Sequence, residues 1–285
     1  MNIEPLPQSA IRAAVDLALA EDHATEDATT LATVAASLTG RAVLLAKEDG
    51  VLSGLNVAED TFWCIDNRVT LDRNIQDGDH FLKGDTIAVA TGPVRAMLQG
   101  ERVALNFLQR MSGTATLTRQ FVDAITGTHA VILDTRKTTP GLRALEKYAV
   151  RCGGGTNHRA DLASMAMIKD NHREALEKRG HSLATGVKEI RARTPGIAVE
   201  IEIDNLDQLD AALAAQPEWI LLDNMSPETM AEAVRRIAGR AKTEASGGVT
   251  VATVRAIAQS GVDAISVGAL THSARALDIS LDLAF

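Results

Sequence analysis

Six short runs from residue 130 onward most constrain what this chain can fold into. They are AVIL (130–133), MAMI (165–168), IAVEIEI (197–203), WILL (219–222), KTEA (242–245) and DAISV (263–267). Between them lie segments with helical periodicity, including LATGVKEIRART, LDQLDAALAAQ, SPETMAEAVRRIAG and TVATVRAIAQSG. Strands that alternate with helices pair in parallel, because each crossover helix returns the chain to the same end of the sheet. About six such units favour an α/β, TIM-like barrel, complete or incomplete, over an open sheet. No GxGxxG follows any run, which weakens the case for a dinucleotide-binding sheet.

The first 98 residues read differently, as an α+β module. Ile11, Ala14, Val15, Leu17 and Leu19 fall near helical spacing, and EDHATEDATT follows as a polar loop. RAVLLAKEDGVLSGLNVAEDTFWCI reads as strand, Asp-Gly turn, then strand or helix start, with further short β segments around Gly78 and Gly84. A helix is predicted from about Ala96 to Met111, ending before Ser112-Gly113. Val103, Phe107 and Met111 form its apolar stripe, and Arg102, Asn106 and Gln109 its opposite face. A second helix, TLTRQFVDAIT, stops at Gly127.

The net charge is -8, which argues against general nucleic-acid affinity. No apolar run is long enough for a membrane span, and the N-terminus lacks a basic start followed by an apolar core, so a cytoplasmic protein is expected. Cys64 and Cys152 form no CxxC or metal-ligand pattern and read as free thiols.

Against that acidic background, residues 134–172 gather Arg136, Lys137, Arg143, Lys147, Arg151, His158, Arg159, Lys169 and His172. A polyanion site is the natural inference. Polar or glycine residues follow each run at once: Asp134-Thr135-Arg136-Lys137, Lys169-Asp170-Asn171-His172, Glu202 with Asp204, Asp223-Asn224, Ser246-Gly247-Gly248 and Gly268. In barrels of this class the carboxyl ends of the strands build the site. Glu200, Glu202 and Asp204 alternate with Val199, Ile201 and Ile203, so the acids share one face and point into the barrel. Glu200, deeper along the strand, suits a structural ion network, whereas Glu202 nears the rim. The glycines at 247, 248 and 268 let backbone N–H groups approach a phosphate. His158 and His172 lack the spacing of a zinc site. Lys147 and Arg151 fit a solvated helix face. Lys137 and Lys169, at the ends of buried runs, fit ligand roles or Schiff-base chemistry.

The motifs DTRKTTPGLRALEKYAVRCGGGTNHR and IKDNH, preceded by ERVALNFLQRMSGTATLT, are followed by VEIEIDN, ILLDN, EASGGV and VGALTHS. Over nearly the whole chain they closely resemble the quinolinate phosphoribosyltransferase family. The resemblance implies an N-terminal sandwich domain over residues 1–110, a barrel over 111–272, and a segment 273–285 packing back on the first. It also implies a pentosyltransferase that makes nicotinate mononucleotide, pyrophosphate and CO2 from quinolinate and phosphoribosyl pyrophosphate for NAD biosynthesis. Arg136 and Arg159 match arginines that grip quinolinate. Lys137, His158 and Lys169 match basic residues near the second carboxylate and the pyrophosphate. Glu202 and Asp223 match acids near the ribose, and Ser246, Gly247, Gly248 and Gly268 fall where the 5′-phosphate binds. Lys137, Lys169, Glu202 and Asp223 are the expected catalytic set. Mg2+ is expected mainly through substrate, near Glu202 and Asp223. Arg102 matches an arginine donated across the interface of a homodimer or larger assembly. The sequence departs from the family at Glu26, where a glycine is usual, and at Ser164, where an aspartate is common. A non-catalytic relative that binds a phosphorylated metabolite, and a Schiff-base lyase, are the competing readings.

Overall fold

In the computed structural model, which describes residues 3–284, twelve strands and eleven α-helices are assigned. The strands are β1 (Thr39–Ala46), β2 (Gly50–Val51), β3 (Thr70–Arg73), β4 (His80–Phe81), β5 (Thr86–Pro93), β6 (Val131–Leu133), β7 (Ala166–Ile168), β8 (Val199–Ile203), β9 (Trp219–Asp223), β10 (Lys242–Ser246), β11 (Ala264–Ser266) and β12 (Ile279–Ala284). The helices are α1 (Gln8–Glu21), α2 (Ala28–Thr33), α3 (Leu55–Ile65), α4 (Val94–Ala124), α5 (Arg143–Cys152), α6 (Asp170–Lys178), α7 (Leu183–Arg193), α8 (Leu209–Ala214), α9 (Pro227–Ile237), α10 (Val254–Gln259) and α11 (Ala269–His272). None is long and apolar enough to cross a membrane.

The chain divides into two compact units. One comprises the residues up to Arg119, Thr138–Gly154 and those from Ala269 onward; the other comprises Gln120–Lys137 and Gly155–Gly268. The sequence reading put 111–272 together; residues 111–119 and 269–272 instead group with the first unit, and so does α5. Its Leu145, Tyr148, Ala149 and Cys152 are buried in one cluster with Ile11, Val15, Val51, Val57, Met111 and Ala115 of the first unit. Burial covers α5 on nearly every side, so Lys147, which helical position alone gave to solvent, is only 5% exposed. Arg151 is half-buried, and its guanidinium lies 5.6 Å from the centre of the Tyr148 ring.

In the first unit a four-stranded antiparallel sheet runs in the order β12-β1-β5-β3. The C-terminal strand β12 lies along β1, with Leu281 opposite Leu44. Alternation along β1 sends Ala42, Leu44 and Ala46 inward, where they join Phe62, Met97 and Leu108 in the core. The stretch read as a polar loop ends inside the first turn of α2, which starts because the Asp27 carboxylate accepts the Thr30 N–H at 3.0 Å.

The two helices expected either side of Ser112-Gly113 are one, the 31-residue α4. Gly113 does not stop it, because glycine serves there for close approach. A Cβ at that position would lie 1.9 Å from the Arg275 backbone oxygen. Helix propensity favours Gly113→Ala by about 1 kcal/mol. Forcing a methyl group against a backbone oxygen costs more, roughly 1–3 kcal/mol net. G113A should therefore lower the thermal midpoint by several degrees; an unchanged or higher midpoint would contradict this packing.

The second unit holds six parallel strands in the order β6-β11-β10-β9-β8-β7. Successive strands from β7 to β11 are neighbours, and β11 pairs back to β6. The barrel is thus open between β6 and β7. On the free edge of β6, Thr156 donates its N–H to the Ile132 oxygen at 2.8 Å, and Asp134 donates to the Thr156 oxygen at 3.2 Å. Val199, Ile201 and Ile203 of β8 have no exposed surface, as expected for a strand covered on both faces. Helix α9 shows how local sequence sets the outer layer. Ser226 caps it by accepting the Thr229 N–H at 3.2 Å, Pro227 occupies its first turn, and Ala238 ends it in the left-handed region at φ 50°.

Candidate active site

The carboxyl ends of the barrel strands line one cavity of about 410 Å³. That volume is in the range of small-molecule sites. Three stretches bring cations to it: Arg136 and Lys137 follow β6, His158 and Arg159 follow the Thr156 edge segment, and Lys169 follows β7. Glu202 of β8, Asp223 of β9 and Ser246 of β10 line the same cavity. Eight residues singled out from the sequence therefore converge. Gly247, Gly248, Gly268 and Arg102 are not among the lining residues. Arg102 is exposed on α4.

Backbone geometry explains part of the wall. Gly247 has φ 100°, and a Cβ there would meet the Asn224 Oδ1 at 2.1 Å, so only glycine fits. Asn224 donates its backbone N–H to the Ser246 oxygen at 2.9 Å and its side-chain amide to Asp223 at 2.7 Å. The loops after β9 and β10 are thereby knitted, and the Asp223 carboxylate is aimed by its neighbour. Gly248, at φ 57°, has open space beside it. On β8, Arg173 donates to the Glu202 backbone oxygen at 2.8 Å and pairs with Asp204, fixing the rim of that strand. Lys169 and Glu202 form an ion pair in the cavity.

Arg159 senses the charge of Arg136. Burial, and then the Arg136 charge, hold the Arg159 guanidinium below its ordinary pKa. A guanidinium remains protonated through such a shift. Two like charges held together in a part-buried cavity favour an anion that can bridge them. The residue set Glu202, Asp204 and Asp223 has carboxylate oxygens within 4.8 Å of one another. All-oxygen donors suit a hard divalent cation.

Beneath the cations lies a group that sequence reading only half found. His158 Nε2 lies 3.3 Å from Glu200 Oε2 and 3.1 Å from Glu244 Oε2. All three side chains are at least nine-tenths buried. Glu244 was not singled out, although the period of two in Lys242–Ser246 puts it on the same face as Ser246. Asp134, fully buried, accepts the His158 N–H at 2.9 Å and an Asn157 amide hydrogen at 2.6 Å.

Burial opposes an added proton on His158, and the Glu200 and Glu244 carboxylates outweigh it and favour one. The Nδ1 lone pair, however, is taken by the Arg159 backbone N–H at 2.8 Å, and that geometry keeps the ring neutral. Burial raises Glu200, His158 pulls it back, and the Glu244 charge lifts it again, leaving it at about 7. The folded Glu200 value lies above the unfolded one. Over roughly pH 4.5–7 folded Glu200 therefore holds a proton that the unfolded chain has released, so this stabilisation is full below that window and lost as pH rises through it. The thermal midpoint should fall between pH 5 and 7 more steeply in the wild type than in Glu200→Gln. Equal slopes would show that the cluster carries no such linkage.

The descriptions of two protein families match this chain. The quinolinate phosphoribosyl transferase C-terminal domain matches residues 114–282, and the corresponding N-terminal domain matches residues 27–112. The chain is 45% identical over 263 residues to the nicotinate-nucleotide pyrophosphorylase [carboxylating] of Mycobacterium leprae, covering 90% of this chain and 91% of that protein. It is 41% identical over 301 residues to the chloroplastic nicotinate-nucleotide pyrophosphorylase [carboxylating] of Arabidopsis thaliana, covering 99% and 86%. The solved nicotinate-nucleotide pyrophosphorylase of Francisella tularensis superposes with a TM-score of 0.92 at 36% identity, covering 100% of this chain and 99% of the other.

Proposed function

The chain belongs to the quinolinate phosphoribosyl transferase family, and we infer from that premise how its barrel cavity works. The protein transfers the 5-phosphoribosyl group from phosphoribosyl pyrophosphate to quinolinate with decarboxylation, giving nicotinate mononucleotide for NAD biosynthesis. One observation carries the residue assignment. Five basic residues from three separate segments line a cavity together with Glu202 and Asp223.

In this reading Arg136 and Arg159 grip the quinolinate carboxylates with their planar forks. The pyridine nitrogen then faces the ribose anomeric carbon. As the bond to pyrophosphate breaks, positive charge develops on the ribose ring, and the Glu202 and Asp223 carboxylates stabilise it or orient the ribose hydroxyls. Lys137 and Lys169 take the charge of the departing pyrophosphate; for Lys169 this means exchanging its Glu202 partner for phosphate oxygen. Ser246 and the backbone at Gly247, Gly248 and Gly268 hold the 5′-phosphate. The quaternised nitrogen stabilises the electron pair left on the ring when the adjacent carboxylate departs as CO2, and a proton replaces it. Binding that carboxylate too tightly would oppose its loss, so the cations must favour the transition state over the bound dianion.

The Glu202, Asp204 and Asp223 oxygens would hold Mg2+. When bound, it would neutralise pyrophosphate charge. The exposed Arg102 is assigned to a partner subunit's cavity in a homodimer or larger assembly, a role supported by its position on the solvent face of α4. The protein is assigned to the cytoplasm, in keeping with its free thiols, Cys64 and Cys152. Recovery of the native protein in an organelle or membrane fraction would contradict that placement.

Phosphorus NMR tests the assignment. Pyrophosphate should appear only with quinolinate and phosphoribosyl pyrophosphate both present, stop with EDTA and resume with Mg2+. R102A and R136A should each be nearly inactive, and mixing them under conditions of subunit exchange should restore part of the activity. Metal-independent turnover, or no rescue despite exchange, would overturn the corresponding assignment.

A further inference from the structure

We propose that Glu244 is a positioning residue for Arg159, acting through a His158 ring held as its neutral Nε2–H tautomer. The inference rests on the reading that Arg159 grips a quinolinate carboxylate. His158 is fixed at three points. Its backbone N–H bonds to Asp134, its Nε2 faces Glu244 Oε2 at 3.1 Å, and its Nδ1 accepts the Arg159 backbone N–H at 2.8 Å. A nitrogen that accepts a hydrogen bond carries no proton, so the ring proton belongs on Nε2. Neither Glu200 oxygen accepts a well-formed hydrogen bond, which leaves Glu244 as the acceptor for that proton. A charged ring, or one turned over, would set an N–H against the Arg159 N–H.

The consequence reaches the guanidinium. Arg159 Nη1 donates to the Met165 backbone oxygen at 2.8 Å, and Nη2 lies 3.5 Å from the Met167 sulfur. The side chain is thus anchored at its far end beside β7 and at its near end by His158. Removing Glu244 frees the imidazole to rotate and releases the near anchor. Glu244 is 2% exposed and sits on β10, whose pairing with β9 and β11 gives it a rigid mount. A site held within about half an ångström needs this kind of supporting contact.

The test compares wild type, Glu244→Ala and Glu244→Gln by titration calorimetry with quinolinate and, separately, phosphoribosyl pyrophosphate. Nitrogen-15 NMR of His158 in the wild type accompanies it. The ring should show the neutral Nε2–H pattern near pH 7.5. E244A should weaken quinolinate at least tenfold while changing phosphoribosyl pyrophosphate less than twofold. E244Q, which keeps an acceptor oxygen, should recover most of that loss. A folded E244A that binds quinolinate within twofold of wild type overturns the inference. So does a doubly protonated or Nδ1–H ring, which decides the matter even if E244A fails to fold. Wild-type protein that binds no quinolinate overturns the parent reading instead, while the tautomer still reports on the His158 geometry.

Discussion

Arg136→Ala should lower kcat/KM for quinolinate by roughly 100- to 1,000-fold, with a thermal midpoint close to that of the wild type. Arg136 lines the barrel cavity beside Arg159 and is half-buried at the end of β6. Truncating one partner of a desolvated, hydrogen-bonded charge pair typically costs about 2–5 kcal/mol, and each 1.36 kcal/mol is a factor of ten. The loss should fall mainly on KM if the gripped carboxylate is the one retained in the product, because that group is held alike in ground and transition states. Arg136→Lys should recover only part of it, since an ammonium cannot reproduce the planar two-point contact. Steady-state kinetics at saturating phosphoribosyl pyrophosphate decides the matter. A change below fivefold would remove Arg136 from the binding set.

Glu202→Gln should behave differently, lowering kcat about 100-fold or more while the quinolinate KM moves less than threefold. Preorganised groups aimed at charge that develops only in the transition state contribute about 10²–10³ in kcat. Glutamine keeps the size and the hydrogen bonds but not the charge. The Glu202 backbone stays held by Arg173, so the substitution leaves the β8 rim in place. It also releases Lys169, which should bind phosphate oxygen more readily, so the KM for phosphoribosyl pyrophosphate should not rise. A large increase in that KM with unchanged kcat would make Glu202 a ground-state ligand.

Much of this architecture was legible before the structure, and the reasons are local. A buried parallel strand needs a short run that no water touches, so β6 through β11 each appear where a run stood. The alternation of acids in β8 was readable because a strand's period is two, and it placed Glu200 and Glu202 inside. Where tertiary contact decides, local pattern failed. Ser112-Gly113 reads as a helix stop, but Gly113 is a notch for the Arg275 backbone within a continuous α4. Lys147 reads as a solvated face, but α5 is covered on almost every side. Glu244 was hidden by the weak apolarity of its run, although the same period of two would have exposed it. The open seam between β6 and β7 depends on strand pairing, which no run encodes by itself.

The most direct measurement of the central claim follows the two carboxylates of quinolinate separately. With 13C placed in the carboxyl beside the ring nitrogen, each pyrophosphate released should be matched by one labelled CO2. With 13C in the other carboxyl, the label should remain in nicotinate mononucleotide. Both results should require phosphoribosyl pyrophosphate and Mg2+. Pyrophosphate without labelled CO2, label lost from the second carboxyl, or no turnover by folded protein would contradict the account.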